Sequence, residues 1–335
     1  MSAPVSVLLP VYNGAGTLAE CLESIRHQTF EDYQLLVVDD GSEDATVKIL
    51  REFSIRDDRI EVLSPGRIGL VAALNLGLEA CRGRYVARMD ADDRMAPTRL
   101  ARQYELLETN PDLALAGTRV EHAGPMAPRA GYREYLRWQN RLVDPEAITA
   151  ELFVECPIAH PSMMFRRETV CSAGGYREGP FPEDYELVLR LWRSGARFGK
   201  VPETLLAWSD RPDRTSRTDG RYSRAAFDRL RSRFLAVDPR VRSAGSLVIW
   251  GAGRSRTRTR LLVEQGIDFQ VWIDIDPRKV GRRLWDRPIH PPDWLLANRA
   301  DLVLVYVSTH GAREEIGAFL DGAGYVNGQS YLLVG

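Results

Sequence analysis

The sequence predicts an α/β protein of two domains, the first built on a mainly parallel sheet. Three observations lead there. Short apolar runs alternate with amphipathic helical stretches from the N-terminus onward. The alternation loosens in the middle of the chain and restarts near residue 246. The 335 residues are 44% hydrophobic and 27% charged, ordinary values that fit about two domains and exclude a wholly disordered, collagen-like or coiled-coil protein.

Val5 to Leu9 reads as a buried strand, and Thr17 with Glu20 forms a capping-box pattern ahead of a helix burying Leu18, Leu22 and Ile25. Tyr33 to Asp39 is a second strand, apolar throughout and ending in acid, with Ser42 placed as the N-cap of a helix through Val47 and Leu50. Strands at Ile60 to Leu63 and Tyr85 to Met89 flank a helix over Leu70 to Cys81. Pro97 takes the first-turn position of a helix reaching Thr109, and Leu113 to Val120 follows as a strand. Residues 121 to 182 are looser, with a helix near Asp144 to Phe153 and a strand near Ser162 to Phe165. A helix from Asp184 to Arg193 stops at Gly195. Further strands are expected at Ser246 to Trp250, Val271 to Ile275 and Leu302 to Val307, so the domains are residues 1–242 and 243–335.

Forty-five basic against 46 acidic residues leave a net charge of −1, so no global field draws the chain to nucleic acid or to a membrane. Only Lys48, Lys200 and Lys279 are lysines, an arginine bias of the kind a GC-rich genome produces. Residues 211 to 242 hold ten arginines against four aspartates. That stretch reads as a solvated or salt-bridged helix, with peripheral attraction to anionic lipid as its functional alternative. No basic patch is interleaved with aromatics in a nucleic-acid reader motif, so nucleic acid is not an expected partner. Cys21, Cys81, Cys156 and Cys171 form no CxxC pair, and no run resembles a signal peptide or membrane span. The expectation is a soluble, cytoplasmic protein, working in the cytosol or at the inner face of the membrane.

Ligands of an open parallel sheet bind beyond the carboxyl ends of its strands. Here those ends are acidic: Asp39 and Asp40 after one strand, then Asp90, Asp92 and Asp93 after another. Carboxylates in a DxD spacing can ligate a hard divalent cation, which would neutralise a diphosphate. Each acidic residue taken singly also suits a turn or a cap.

The runs SVLLPVYNG, LLVVDDGSEDAT, GLVAALNLGLEACRGRYVARMDADD, HPSMMFRR and GGYREGPFPEDYELVLRLWRSG resemble the family 2 glycosyltransferases of the GT-A fold, over about residues 3 to 235. The resemblance implies a nucleotide-sugar-binding mixed sheet flanked by helices. It also implies transfer of a sugar from a nucleoside diphosphate sugar, with inversion at the anomeric carbon. It puts Pro10 and Tyr12 beside the base, Asp40 in hydrogen bond to it, and Arg67 near the donor. Asp90 then faces the ribose or sugar, Asp92 holds Mg²⁺ or Mn²⁺ on the diphosphate, and Asp93 lies adjacent. The Glu183-Asp184 pair matches the family's catalytic acids, with Asp184 as the base; capping of the following helix is the alternative. His160 is a sugar contact or a structural hydrogen bonder, Asp210 a late metal ligand, and Asn75 a donor contact. Trp208, like Trp138 and Trp192, is a stacking platform or a core ring.

Processive members of that family carry a QxxRW-type motif and flanking membrane helices. Neither is present, so a single transfer from a UDP-sugar or similar donor to a glycan or lipid-linked acceptor is expected. A nucleotidyltransferase, one rival, needs a basic Gly-rich loop after the first strand, but Val11 to Gly14 carries no Lys or Arg. For a non-catalytic sugar-nucleotide sensor, the second rival, the DxD and acidic pair are surplus. The C-terminal domain is Rossmann-like: Gly251 and Gly253 form a glycine turn and Asp274 follows 21 residues after Gly253. Arg256 replaces the third glycine, so no NAD site is assigned. Arg254, Arg256, Arg258 and Arg260 instead suit a phosphate at a helix N-terminus, or a solvated face.

Overall fold

The computed structural model describes residues 3–124, 127–210, 215–253, 256–307 and 311–335, with the backbone alone for 215 and 216. Arg211, Arg214 and Arg254, singled out in the sequence, lie outside the described residues. The chain forms two compact units. One holds Met1–Pro145, Ile158–Gly179 and Glu183–Asp219; the other holds Glu146–Pro157, Pro180–Pro182 and Gly220–Gly335.

In chain order the first unit runs β1 (Val5–Val11), α1 (Leu18–Arg26), β2 (Tyr33–Asp39), α2 (Thr46–Ser54), β3 (Ile60–Leu63), α3 (Leu70–Ala80), β4 (Tyr85–Arg88) and β5 (Arg94–Met95). It continues with α4 (Arg99–Thr109), β6 (Leu113–Ala123) and α5 (Ala130–Arg141), and α6 (Pro145–Ala150) leads into the segment grouped with the second unit. Then come β7 (Met164–Arg166), α7 (Arg167–Ser172), α8 (Glu183–Arg193), β8 (Arg197–Ser209) and α9 (Thr215–Thr218). Among the described residues the sheet has the order β3-β2-β1-β4-β7-β6-β8-β5. Strands β1 to β4 are mutually parallel, while β7 is antiparallel to β4 and β6. β1, β2 and β4 are buried along their whole length, as expected for strands covered by helices on both faces. Their carboxyl ends point to one edge, and the strand order reverses around β1.

Three local expectations are corrected. Thr17 makes no side-chain cap, and Glu20 reaches instead to Arg94. Ser42 is not an N-cap: α2 starts at Thr46, and the Ser42 hydroxyl accepts from the backbone N–H of Asn13. Pro97 precedes the N-cap Thr98, and its carbonyl accepts from Thr29 N–H. The strand β8 was not expected. Its Pro202 lies where the pairing with β6 slips, between Thr118↔Val201 and Arg119↔Thr204, so its missing N–H falls in an irregularity.

The second unit contains α10 (Arg224–Leu235), α11 (Pro239–Ser243), β9 (Leu247–Trp250), α12 (Arg256–Glu264), β10 (Val271–Ile273), β11 (Arg283–Leu284) and β12 (Arg287–His290), then α13 (Trp294–Ala297), β13 (Leu302–Val305), α14 (Ala312–Gly322) and β14 (Tyr331–Leu333). Its sheet has the order β11-β12-β10-β9-β13-β14, parallel except for the β11–β12 hairpin. Leaving aside β11, that is the 3-2-1-4-5 order of doubly wound folds. β12 and β14 are not among the strands expected from the sequence. Several arginines of the basic stretch are neutralised locally: Arg231 pairs with Asp228 at 2.8 Å and Arg240 with Asp238 at 2.5 Å. Among the described residues no helix is long and apolar enough to cross a membrane.

Candidate active site

Strand order reverses around β1, and open α/β sheets bind ligands beyond the carboxyl ends of the strands at such a point, here those of β1, β2 and β4. Tyr12 stands at the end of β1 with its ring exposed, and the Arg67 guanidinium lies over that ring at 3.6 Å from its centroid. Arg67 also ion-pairs with buried Asp40, whose Oδ1 accepts from Ile68 N–H (2.6 Å) and Gly69 N–H (2.9 Å). One carboxylate therefore clasps the 67–69 turn to the end of β2. Gly41 makes the clasp sterically feasible: its φ is +75°, and a Cβ there would lie 2.7 Å from Arg67 N. Pro10 is buried within β1. The exposed aromatic face backed by a cation suits a flat heteroaromatic ring.

At the end of β4, ligand oxygens of Asp90, Asp92 and Asp93 all lie within 4.8 Å of one another. They are carboxylates, the donors a hard divalent cation prefers, so the residues fit Mg²⁺ or Mn²⁺. The cluster is held from below. Arg88 Nη1 sits 2.5 Å from Asp90 Oδ2, Asp93 Oδ1 accepts from Ser209 N–H (2.7 Å), and the Ser209 hydroxyl donates to the Asp92 carbonyl. Burial opposes the charged form of Arg88, yet the charge and hydrogen bond of Asp90 outweigh it and raise the guanidinium's pKa. The negative field also reaches Cys21, whose Sγ donates to the Asp90 carbonyl at 3.2 Å. Burial first, then Asp93, Asp90 and Asp92, pushes that thiol well up.

The acidic pair opens α8. Asp184 lies inside the first turn, where its Oδ1 accepts from Tyr185 N–H at 2.7 Å, so it is not the residue that precedes and caps the helix. Burial and then the like charge of Glu183 push Asp184 up from 3.8 to about 7, while the Tyr185 N–H and Arg88 pull the other way. Glu183 is buried, with Oε1 3.9 Å from His160 Nδ1; His160 Nε2 is 3.0 Å from the Tyr176 hydroxyl. Burial, then Arg88, holds the imidazole well below its ordinary pKa, so His160 is neutral at pH 7.

Other candidates sit differently. Asn75 has both polar ends on the Tyr176 backbone, Nδ2 donating to its carbonyl (2.9 Å) and Oδ1 accepting its N–H (2.8 Å). These two bonds fix the turn bearing Tyr176. Asp210 is paired with Arg217 (2.6 Å) and lies 3.7 Å from His122, and it is not one of the three carboxylates grouped at the end of β4. Trp208 is packed among Tyr132 and Tyr135, with 9% of its surface exposed, which leaves little face for a sugar.

Sequence reasoning missed Arg88, Tyr176 and Arg99. Arg99 is fully buried, its pKa pushed down to about 9 by burial. It donates to the Arg88 carbonyl (2.9 Å) and to Gln103 Oε1 (3.0 Å), and Gln103 donates onward to the Ser162 carbonyl (2.8 Å). This network joins the end of β4 to the turn that carries His160. The available signal was an arginine inside the apolar run YVARM. In the second unit, Asp274 is paired with Lys279 Nζ at 2.8 Å, and a Cβ at Gly253 would lie 3.0 Å from that ammonium. The ammonium thus stands beside the glycine turn.

The sequence profile of Glycosyl transferase family 2 matches residues 6–174. An uncharacterised glycosyltransferase of Haemophilus influenzae is 31% identical over 229 residues, covering 63% of this chain and 67% of that protein. The amylovoran biosynthesis glycosyltransferase AmsE of Erwinia amylovora is 30% identical over 213 residues, covering 60% and 74%. Among solved structures, Staphylococcus aureus TarS 1–349 in complex with UDP-GlcNAc superposes with a TM-score of 0.56 at 16% identity, over 79% of this chain and 71% of that one. The mannosyltransferase PcManGT of Pyrobaculum calidifontis, with GDP-Man and Mn²⁺, gives a TM-score of 0.52 at 22% identity, over 70% and 63%. Matching sequence and matching fold converge on the unit that carries the acidic strand ends: the chain belongs to glycosyl transferase family 2 and is a glycosyltransferase of GT-A fold.

Proposed function

We propose that the chain is a metal-dependent, inverting enzyme that moves one sugar from a UDP-sugar or similar donor to a glycan or lipid-linked acceptor. Asp184 carries this reading: a partly exposed carboxylate with a pKa near 7, influenced by the same buried Arg88 that pairs with Asp90. A base needs that pKa to take a hydroxyl proton near neutrality and keep it through the transfer. Asp184 accepts the proton of the acceptor hydroxyl as its oxygen bonds to the anomeric carbon. The bond from that carbon to the diphosphate breaks on the opposite face, which inverts the centre. Mg²⁺ or Mn²⁺ held by Asp92, with Asp90 and Asp93 beside it, would supply charge neutralisation to the departing diphosphate. Tyr12 and Arg67 bind the base, with Asp40 locking their turn, and Glu183 with neutral His160 orients the first turn of α8. A mannosyltransferase of similar fold with Mn²⁺ and a relative in amylovoran biosynthesis support the metal and the acceptor class.

The test is thermal stability against UDP, GDP and their sugars, with Mn²⁺ or EDTA, followed by product analysis with the donor that binds. Asp184→Asn is expected to keep the donor's stabilising shift and lose transfer. Loss of the shift in a folded Asp184→Asn protein would overturn this division of roles.

A further inference from the structure

The three described arginines at the start of α12, Arg256, Arg258 and Arg260, do not act alike. Arg258 turns inward, donating to the carbonyls of Gly335 (2.5 Å) and Tyr306 (2.8 Å). Arg256 and Arg260, one helical turn apart, instead line an open groove of about 310 Å³ with Thr257 and Trp285. Among the described residues neither guanidinium has a carboxylate at ion-pair distance, whereas Arg231, Arg240, Arg278 and Arg287 in this unit each have one. Arg260 lies 5.9 Å from the Trp285 ring centroid.

Two features of this groove are unfavourable without a ligand. Like charges at i and i+4 repel, and cations in the first turns of a helix face the positive end of its dipole. Trp285, moreover, holds a φ of +51° and Asp286 one of +57°, in the two-residue turn between β11 and β12. Such a turn favours Asn or Gly, and a bulky aromatic there is strained. The ring is braced from behind by Trp272, centroids 5.5 Å apart and nearly edge-on, and Trp272 Nε1 donates to the Leu284 carbonyl. A strained turn thus presents an aromatic ring beside two cations that have no carboxylate at ion-pair distance among the described residues.

We propose that Arg256, Thr257, Arg260 and Trp285 form a binding site for an anionic saccharide. The sugar ring stacks on Trp285, and its carboxylate or phosphate is held by the two guanidiniums, which bind planar anions with two N–H groups each. A nucleobase is a poorer match, because among the described residues lining the groove the neutral hydrogen-bonding groups are the Thr257 hydroxyl and the Trp285 indole N–H, with no carboxylate or amide to read a base edge. The openness of the groove suits a unit within a longer chain. The site lies in the second unit and its occupation is independent of the donor and base assignments above.

Binding to the full chain is measured by calorimetry and ligand-observed NMR with trigalacturonate, glucose 1-phosphate, inorganic phosphate and neutral maltotriose. The anionic sugars are expected to bind and maltotriose not to bind. The double variant Arg256→Gln/Arg260→Gln is expected to lose about tenfold or more in affinity. Trp285→Asn, which suits the positive φ, should fold with an unchanged or raised melting temperature and also bind the sugars more weakly. Tighter binding of trigalacturonate assigns the site to a glycan chain, and tighter binding of glucose 1-phosphate to a soluble sugar phosphate. The proposal is overturned if neither anionic sugar binds at about 10 mM. It is equally overturned if binding survives the double variant, or if inorganic phosphate binds as well as both sugars.

Discussion

Replacing Asp184 by Asn separates what the carboxylate does for transfer from what it does to stability. In the fold its pKa is raised from 3.8 to about 7. A raised acid binds its proton more tightly in the native state, so the native state gains nothing from ionisation and loses stability as pH climbs from about 4 to about 7. The full difference corresponds to about 4 kcal/mol. Solvent reaches part of the residue and Glu183 shares the effect, so about 2 kcal/mol is the expected share. Asn keeps the Oδ1 that accepts the Tyr185 N–H, removes the charge, and has nearly the same shape.

Asp184→Asn should therefore come close to the parent in urea unfolding at about pH 3.5, below the ordinary carboxyl pKa, and exceed it by about 2 kcal/mol at pH 8. In the parent, kcat should rise with pH through about 7, because the base acts only when ionised. A variant no more stable than the parent at pH 8 would refute the argument from burial. A parent kcat flat from about pH 5.5 to 8.5, with chemistry rate-limiting, would refute the role as base.

Arg88→Met removes a charge that lowers the Asp184 pKa and pairs with Asp90, so the acid limb of the kcat profile should move to higher pH. Its unfolding free energy should fall by about 3 kcal/mol, read by urea denaturation. Gly41→Ala places a Cβ 2.7 Å from Arg67 N at a φ of +75°. It should cost more than about 1 kcal/mol and raise the donor KM several-fold, since the 67–69 turn must shift. Asp92→Ala should abolish the Mn²⁺-dependent part of the thermal shift given by the donor while leaving the melting temperature without ligand within a few degrees.

The parts of the site that could be read from sequence are those written in a single element. Asp39 and Asp40, and Asp90 to Asp93, each end a strand, so periodicity located them, whereas Glu183 with Asp184, at the start of a helix, was singled out by the family resemblance. What escaped depends on contacts across the chain. Asn75 reads from sequence as a donor contact, and the structure shows the Tyr176 backbone, 101 residues away, engaging both its polar ends. Asp210 follows β8, a strand hidden from pattern reading by Lys200, Pro202 and Glu203, and its neighbours His122 and Arg217 are settled by where β6 and α9 lie. The caps failed for a related reason: Ser42 and Pro97 are the right residue types, but each is engaged by a neighbouring segment, Asn13 in one case and Thr29 in the other.

Arg88 shows why a charge belongs beneath this site when an apolar side chain would cost less to bury. Its direct effect on Asp184 is to lower the pKa, yet Asp184 still ends near 7 because burial, and after it the like charge of Glu183, push the other way. Glu183 keeps that influence only while His160 is neutral, since a protonated imidazole 3.9 Å from its Oε1 would offset it. Burial and Arg88 together keep His160 neutral. The guanidinium thus acts on the base in two opposed ways, one direct and one through the His160–Glu183 contact. The pH profile of Arg88→Met measures their balance: because burial leads at His160, the direct effect should dominate and the acid limb should rise.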